Sequence, residues 1–152
     1  MTKKERPSWE EYFMEMAHLI KKRSTCLRRD VGAVLVRDTK ILATGYNGPP
    51  KGLPHCEECL REKLKVPSGE RHEISRAVHA EQNVIIQSAF FGVSTKDSTL
   101  YVTNYPCVIC AKMIINAGIK EVIYDADYED KIAKEMLGQS SISIRKYNGK
   151  PN

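Results

Sequence analysis

Two short segments of this chain carry side chains that can bind a metal ion. His79 lies two positions before Glu81, and Cys107 and Cys110 form a C-x-x-C pair directly after Pro106. One imidazole and two thiolates suit zinc, and three protein ligands leave the fourth tetrahedral position open, as catalytic zinc sites do. The sequence therefore predicts a catalytic zinc site with His79, Cys107 and Cys110 as ligands.

The two cysteines are expected at the start of a helix, where their spacing has a geometric consequence. Residues three apart on a helix lie on one face, so both sulfurs can reach the same ion. The helix N-terminus also stabilises thiolate charge, which lowers the pKa of a cysteine toward its metal-binding form. Spacing and local electrostatics thus favour the same role for Cys107 and Cys110.

Glu81 is not needed as a ligand, and we expect it beside the open zinc position. Zinc lowers the pKa of a bound water toward neutrality and so yields a hydroxide nucleophile. A carboxylate close to the cation can accept the proton of that water and later donate it again. Glu81 is therefore predicted to be the proton shuttle of a hydrolytic reaction.

The same residues allow two other interpretations. A closed structural zinc site would need a fourth ligand and would leave Glu81 at the surface, and such sites more often pair two Cys or Cys/His knuckles. A redox-active C-x-x-C would leave the His79–Glu81 segment without a role. Catalytic zinc accounts for more of these residues than either alternative.

Helices and strands alternate along the chain and must bring the two segments together. Ser8 and Glu11 form a capping box that starts a helix, whose apolar stripe is expected to face the core: Trp9, Tyr12, Phe13, Met16, Ala17 and Ile20. Further helices are predicted over 75–91, 106–117 and 129–137, and strands over 31–36, 41–45, 99–103, 121–124 and 142–145. This order predicts an α/β fold with three α/β/α layers, in which helices cover both faces of a mixed central sheet.

The composition suits one domain that covers residues 1–152. At 41% hydrophobic residues, a chain of 152 residues can bury a core of its own. Residues 46–73 show no regular period, and a stretch this long inside a compact domain is typical of a binding loop or of a loop ordered by a metal.

Charge and hydropathy limit the partners and the compartment. The net charge of +5 suits an anionic ligand, but the basic residues form no dense stripe, so we expect no nucleic-acid partner. We expect no membrane partner either, because no run of 18 apolar residues occurs. The N-terminal residues lack the apolar segment of a secretory signal. We therefore expect a cytoplasmic protein whose five cysteines serve metal binding before disulfides.

An H-x-E followed by P-C-x-x-C is the signature of the zinc deaminases. The sequence resembles the cytidine deaminase superfamily, and more closely its deoxycytidylate deaminase branch, in residues 23–26, 31–36, 45–50, 79–81 and 103–110. The resemblance covers nearly the whole chain. It implies a cytidine-deaminase-like fold and hydrolysis of dCMP to dUMP and ammonia, which supplies dUMP for dTMP synthesis. In that reaction zinc-bound hydroxide attacks C4 and Glu81 passes the proton to the ring nitrogen N3.

The resemblance also suggests residues that bind the substrate. In relatives the 45–50 loop contributes to nucleotide binding, and Asn47 offers a donor and an acceptor there, although Gly and Asn are also common in plain turns. Tyr105 is a candidate to stack on the pyrimidine, and a packing role in the core is the alternative. Arg28 and Arg29 are candidates for the 5′-phosphate, because Arg binds phosphate in bidentate fashion.

A second zinc ion is a further expectation. Some microbial and phage deoxycytidylate deaminases carry a structural zinc, and a closed Cys3His site could form here from Cys26, Cys56, Cys59 and His72. Such a site would hold the long loop in place. His55 could replace one of these ligands, and buried cysteines that bind no metal are the alternative.

Two other classes of function compete with this interpretation. A tRNA adenosine deaminase or another base deaminase would use the same zinc core, but an RNA substrate would require a basic groove. A non-catalytic zinc-stabilised binding module would have no use for Glu81. Relatives in the deoxycytidylate branch are commonly hexamers that dCTP activates and dTTP inhibits, so the resemblance also implies a homo-oligomer and these two effectors.

Overall fold

The computed structural model describes residues 2–149, so both ends of the predicted 1–152 domain lie outside the described residues. The helices are α1 (Trp9–Lys21), α2 (Leu60–Lys63), α3 (Ala80–Phe90), α4 (Val108–Asn116) and α5 (Lys131–Gln139). The strands are β1 (Gly32–Arg37), β2 (Lys40–Tyr46), β3 (Thr99–Asn104), β4 (Glu121–Ala126) and β5 (Ser143–Lys146). A single 3-10 turn spans His72–Ile74.

The five strands form one mixed sheet in the order β2-β1-β3-β4-β5. β1 runs antiparallel to β2 and to β3, whereas β3, β4 and β5 are parallel to one another. In parallel sheets the functional loops collect beyond the carboxyl ends of the strands. Here the carboxyl end of β3 leads through Tyr105 and Pro106 directly to the C-x-x-C pair.

Helices cover both faces of the sheet, which confirms the predicted three-layer fold. On one face Phe13, Met14 and Ala17 of α1 pack on Val34 and Val36 of β1, together with Tyr101 and Ile123. On the other face the buried residues of α3 and α4 pack on the alternate strand residues, such as Ala33, Leu35, Leu100 and Val102. Helix α5 packs on this second face against α4. Among residues 2–149, no helix is long and apolar enough to cross a bilayer.

The predicted start of α1 is confirmed, but part of its predicted core stripe is wrong. Ser8 and Glu11 form the capping box, yet Trp9 is 57% exposed and Tyr12 is 42% exposed, whereas Met14 is 1% exposed. The sheet contacts α1 at Phe13, Met14 and Ala17, so the buried face is rotated relative to the predicted stripe. The Trp9 ring stacks on Phe13 and meets the Tyr12 ring edge to face.

Helix α3 begins at Ala80 and not at residue 75 as predicted. Gly48 and Val78 pair through two backbone hydrogen bonds, with N–O distances of 3.1 and 2.8 Å. This bridge keeps the residues before His79 extended, and His79 becomes the N-cap of the helix. A contact with the long loop, which periodicity cannot show, therefore sets the helix start.

Two glycines allow helices to approach the sheet closely. A Cβ at Gly32 would collide with the backbone of α1 at Ala17, and one at Gly45 would collide with α3 at Ala80 and lie 2.9 Å from the Val84 nitrogen. Both obstacles are backbone atoms, which cannot turn aside as a side chain can. Gly45 therefore sets the distance between β2 and the first turn of α3.

We expect Gly45→Ala to lower the free energy of unfolding by about 1–3 kcal/mol, the usual cost of overpacking. Gly138→Ala is the matched control, because Gly138 lies in α5 and a Cβ there meets no described atom within 4 Å. That control should raise stability by about 0.5–1 kcal/mol, since Ala favours a helix over Gly. Urea unfolding measures both values, and a Gly45→Ala protein as stable as wild type would contradict the close approach.

Candidate metal centre and binding cavity

Two helix starts meet at the predicted metal ligands. His79 is the N-cap of α3, Cys107 is the N-cap of α4, and Cys110 lies in the first turn of α4. The Nδ1 atom of His79 lies 3.4 Å from the sulfur of Cys107 and 3.3 Å from that of Cys110. The fold thus brings together two segments that are 28 residues apart in the chain.

Hydrogen bonds to the edge strand hold α3 in this position. The side-chain nitrogen of Asn83 donates to the Tyr46 carbonyl at 2.8 Å. The backbone nitrogen of Thr44 donates to the Gln87 side-chain oxygen at 2.7 Å. These bonds satisfy backbone groups of β2 that face away from β1 and prevent α3 from sliding along the sheet.

The distances from His79 Nδ1 to the two cysteine sulfurs fit a zinc ion. With Zn–S near 2.3 Å and Zn–N near 2.0 Å, a tetrahedral site requires N–S distances of about 3.5 Å. The observed distances of 3.4 and 3.3 Å are close to that value. Cys107 and Cys110 are buried, so water competes little for the metal position.

The protonation of the three groups shows how they share charge. Hydrogen bonds with Cys110, and then with His79, lower the pKa of the Cys107 thiol. The hydrogen bond with Cys107, and then burial, raise the pKa of the Cys110 thiol. Burial opposes protonation of His79, but the hydrogen bond and charge of Cys107 outweigh it and raise the pKa of His79. A metal ion would replace these shared protons, because zinc binds thiolates and neutral imidazole.

Glu81 lies in the first turn of α3 and is 5% exposed. Potential ligand atoms of Glu81, His79 and Cys110 all lie within 4.8 Å of one another. Burial, and then the charge of Cys107, raise the pKa of Glu81 to about 7. A carboxyl group that titrates near neutrality can both accept and donate a proton.

His72 lies closer to the predicted catalytic ligands than the sequence suggested. Its ring centre is 5.2 Å from that of His79, and ligand atoms of His72, His79 and Cys107 lie within 4.8 Å of one another. Both of its ring nitrogens are buried and have no hydrogen-bond partner in the described part of the chain. Burial lowers the pKa of His72, which favours the neutral form that binds metals.

The other three residues of the predicted second zinc site lie further apart. Cys26 and Cys59 border both the cavity that His79 and Glu81 line and an adjoining cavity, whereas Cys56 borders the adjoining cavity alone. Over residues 2–149, no group of three potential ligand atoms within 4.8 Å of one another includes any of these cysteines. His55, the alternative ligand, shares a hydrogen bond with Thr25.

All four predicted substrate-binding residues line one cavity with His79, Glu81 and Cys107, namely Asn47, Tyr105, Arg28 and Arg29. Sequence reasoning missed other residues that line it, including Arg61, Ser68, Asn104 and Tyr128. They come from the long loop, from β3 and from the β4–α5 connection. No short motif joins these segments, so the fold alone brings them to one cavity.

Asn47 has a structural task in addition to its place in the cavity. Its side-chain oxygen accepts from the Val31 nitrogen at 2.8 Å, and its side-chain nitrogen donates to the Arg29 carbonyl at 2.7 Å. The amide therefore ties the segment that precedes β1 to the end of β2. This arrangement is more specific than the plain turn that Gly and Asn could also have formed.

Two arginines present unpaired guanidinium nitrogens in the cavity wall. Arg28 donates through Nη2 to the Val66 carbonyl at 2.9 Å, while its Nη1 is buried without a partner in residues 2–149. Arg61 likewise has Nε and Nη2 buried without a partner in those residues. Arg28 Nε lies 3.9 Å from the carboxylate of Glu62, which is itself exposed. Buried cations are costly unless an anion pairs with them, and this long, exposed contact leaves Nη1 unpaired. The pair of guanidinium groups therefore favours an anionic ligand in this cavity.

Aromatic rings form another part of the wall. The Arg29 guanidinium lies 4.7 Å from the centre of the Tyr128 ring, which is a cation–π distance. Tyr105 is buried against Ala111, Ala133 and Leu137, and its ring meets that of Tyr124 edge to face. Tyr105 thus packs in the core, as the alternative weighed from the sequence has it, and it also borders the cavity, where stacking on a pyrimidine stays a prediction.

Curated relatives are similar to this chain over most of its length. ComE operon protein 2 of Bacillus subtilis is 44% identical over 143 residues, which are 92% of this chain and 71% of that protein. Deoxycytidylate deaminase of Schizosaccharomyces pombe is 39% identical over 145 residues, or 93% of this chain. The chain spans 45% of the length of that yeast relative.

A solved structure is similar over nearly the same extent. The dCMP deaminase of cyanophage S-TIM5 in complex with dCMP and dUMP superposes with a TM-score of 0.78 at 32% identity, covering 95% of this chain and 100% of that one. Residues 7–126 match the family described as the cytidine and deoxycytidylate deaminase zinc-binding region. This match includes the two segments with the candidate metal ligands and most of the cavity wall. The chain therefore belongs to the cytidine and deoxycytidylate deaminase family.

Proposed function

We propose that this protein hydrolyses dCMP to dUMP and ammonia. The observation that carries the proposal is the position of Glu81, a buried carboxyl group beside three zinc-type donors in a cavity with unpaired guanidinium groups. The similar cyanophage enzyme binds dCMP and dUMP, and the yeast relative is a deoxycytidylate deaminase. This reaction needs an acid–base group, metal ligands and an anion-binding cavity wall.

His79, Cys107 and Cys110 are the proposed ligands of the catalytic zinc. When bound, zinc supplies a Lewis acid that makes water nucleophilic near neutral pH. Glu81 accepts a proton from the attacking water and donates it to N3 of the cytosine ring. A C4–O bond forms, the C4–N bond breaks, and Glu81 assists the departure of ammonia by moving the second proton.

The 5′-phosphate is proposed to pair with Arg28 and Arg61, and Arg29 contributes positive charge nearby. Arg28 and Arg61 have donor nitrogens that lack partners in the described residues. A dianionic phosphate would satisfy both guanidinium groups at once. Arg29 is held against Tyr128 and was proposed from the sequence for the same task.

The sugar is proposed to contact the loop around Asn47. Because the Asn47 amide is held at both ends by backbone groups, the loop has little freedom to move away from the ligand. A loop that packs closely on C2′ leaves no room for a 2′-hydroxyl. This favours a deoxynucleotide over a ribonucleotide.

A second, structural zinc is proposed at Cys26, Cys56, Cys59 and His72. Supporting it, Cys26, Cys59 and His72 border the same cavity, and the three cysteines are free. The unsatisfied ring nitrogens of His72 could serve as a ligand. The cysteines would need to move closer together, which metal binding to a loop can drive.

Assembly, regulation and location remain predictions from the family resemblance. The resemblance predicts a homo-oligomer, expected to be a hexamer, that dCTP activates and dTTP inhibits. It also predicts a cytoplasmic location. A single domain over residues 1–152 is proposed on the same basis, supported by the continuous core on both faces of one sheet.

Glu81→Gln should lower kcat by about 10²–10⁴-fold, the usual contribution of a general acid–base group, while the zinc content stays at the wild-type level. Elemental analysis and an ammonia-release assay on dCMP measure the two effects. Cys107→Ala is the comparison, because it should lose both the catalytic zinc and the activity. A fully active Glu81→Gln enzyme would rule out the proton shuttle.

Protein purified without chelators should contain about two zinc ions per chain, and Cys56→Ser should contain about one. Cys56→Ser should also unfold at a lower temperature, because the long loop loses its metal. Inductively coupled plasma mass spectrometry measures the content. One zinc per chain in the wild type would show that packing alone orders the loop.

Arg61→Gln should lower kcat/KM for dCMP by about 10–100-fold, because a charge-assisted hydrogen bond contributes roughly 1.5–3 kcal/mol. The value for deoxycytidine should not change, since this nucleoside has no phosphate. Arg71→Gln is the control, an exposed arginine in the same loop that pairs with Glu73.

The wild-type enzyme should prefer dCMP to deoxycytidine by at least the same factor, and dCMP to CMP. Assays of the three compounds at one salt concentration test both preferences. Equal turnover of dCMP and deoxycytidine would show that the phosphate is not recognised. Absence of turnover of all three would favour a base or RNA substrate instead.

A further inference from the structure

The Asp130 carboxylate accepts hydrogen bonds from the first turns of two helices. Its Oδ1 accepts from the Ala133 nitrogen at 3.0 Å, and Asp130 is thereby the N-cap of α5. Its Oδ2 accepts at 2.9 Å from the nitrogen of Val108, the first residue of α4. One carboxylate therefore joins the start of the metal-binding helix to the start of α5.

This arrangement matters because Cys107 occupies the N-cap position of α4 without capping it. Its side chain makes no cap hydrogen bond in residues 2–149, and its sulfur faces His79 at 3.4 Å. The first N–H groups of a helix have no intrahelical partner, so a nearby side chain normally accepts from them. Asp130 supplies that acceptor from 22 residues downstream, which leaves the Cys107 sulfur free for the metal.

The Val108 nitrogen belongs to the peptide group that directly follows Cys107. A hydrogen bond to it restrains rotation about ψ of Cys107, which is 170°. That angle sets the direction of the Cys107 side chain relative to α4, whereas Cys110 moves with the helix itself. The distance between the two sulfurs therefore depends on this peptide group.

Packing between α4 and α5 holds the donor and the acceptor of this hydrogen bond in place. Ala111 of α4 and Ala133 and Leu137 of α5 are buried in one cluster with Tyr105. Small alanine side chains allow the helices to approach closely. The position of Asp130 is therefore set by α5, and its hydrogen bond to the Val108 nitrogen positions Cys107 in turn.

We propose that Asp130 is a positioning residue for the zinc ligands, because its Oδ2 holds the Cys107–Val108 peptide where both sulfurs and His79 Nδ1 can meet one ion. The proposal rests on the proposed function in that it takes His79, Cys107 and Cys110 as the ligands. Residues that orient metal ligands in this way typically contribute about 10–100-fold in metal affinity.

Asp130→Ser tests the proposal, because Ser is a good N-cap for α5 but its shorter side chain has a single oxygen and cannot also reach Val108. The test uses the full chain with Cys56→Ser, which removes the proposed second zinc and leaves the His79–Cys107–Cys110 site. In that chain we expect the zinc dissociation constant, measured by chelator competition, to rise by about 10–100-fold. The thiolate-to-metal absorption bands of the cobalt(II)-loaded protein should shift or weaken. If Asp130→Ser fails to fold, Asp130→Asn replaces it, since Asn also caps helices, and the same loss of affinity is expected.

Ser8→Ala is the matched control, because it removes the cap of α1 on the opposite face of the sheet. It should lose stability but keep the zinc dissociation constant and the cobalt spectrum of the wild type. A folded Asp130 variant with wild-type affinity and spectrum, or an equal loss of affinity in Ser8→Ala, would overturn the positioning role alone. Wild-type zinc affinity in Cys107→Ser would overturn the ligand assignment and the positioning role together.

Discussion

The meeting of two helix N-termini at one point is the constraint on which the rest of the structure depends. His79 and Cys107 are N-cap residues of helices from different parts of the chain, and their ligand atoms lie 3.4 Å apart. The positive ends of both helix dipoles point toward this position, where they stabilise the negative charge of thiolates and of a carboxylate. The close approach of α3 to Gly45 and the capping of α4 by Asp130 both serve to keep these helix starts in place.

Around this point the molecule buries groups that a purely structural core would avoid. Burial, and then the charge of Cys107, raise the pKa of Glu81 to about 7, and Arg28 and Arg61 keep donor nitrogens unpaired in the described residues. Each of these costs folding free energy, because desolvation penalises charged and unpaired polar groups. A bound metal and an anionic nucleotide would satisfy them together. The energetic cost of burying these groups and the proposed function of the cavity thus have the same physical origin.

The long stretch between β2 and α3 acquires its order from contacts with the rest of the fold. The bridge between Gly48 and Val78 closes its two ends, and Arg28 holds its middle through the Val66 carbonyl. With its backbone held in this way, the stretch can present Arg61 and His72 to the cavity although it contains little regular structure. The sides of the cavity that are proposed to bind the phosphate and the metal therefore share one loop.

The sequence by itself determined the three-layer α/β fold and predicted the candidate metal ligands and acid–base carboxyl group, because these depend on local spacing and on periodicity within single elements. The capping box at Ser8 and the alternation of elements were likewise readable without the structure. Tertiary structure alone decided that α3 starts at Ala80, that Met14 is buried in place of Trp9, and that Arg61 joins the cavity. Each of these depends on contacts between segments distant in the chain, and such contacts leave no periodic signal in either segment.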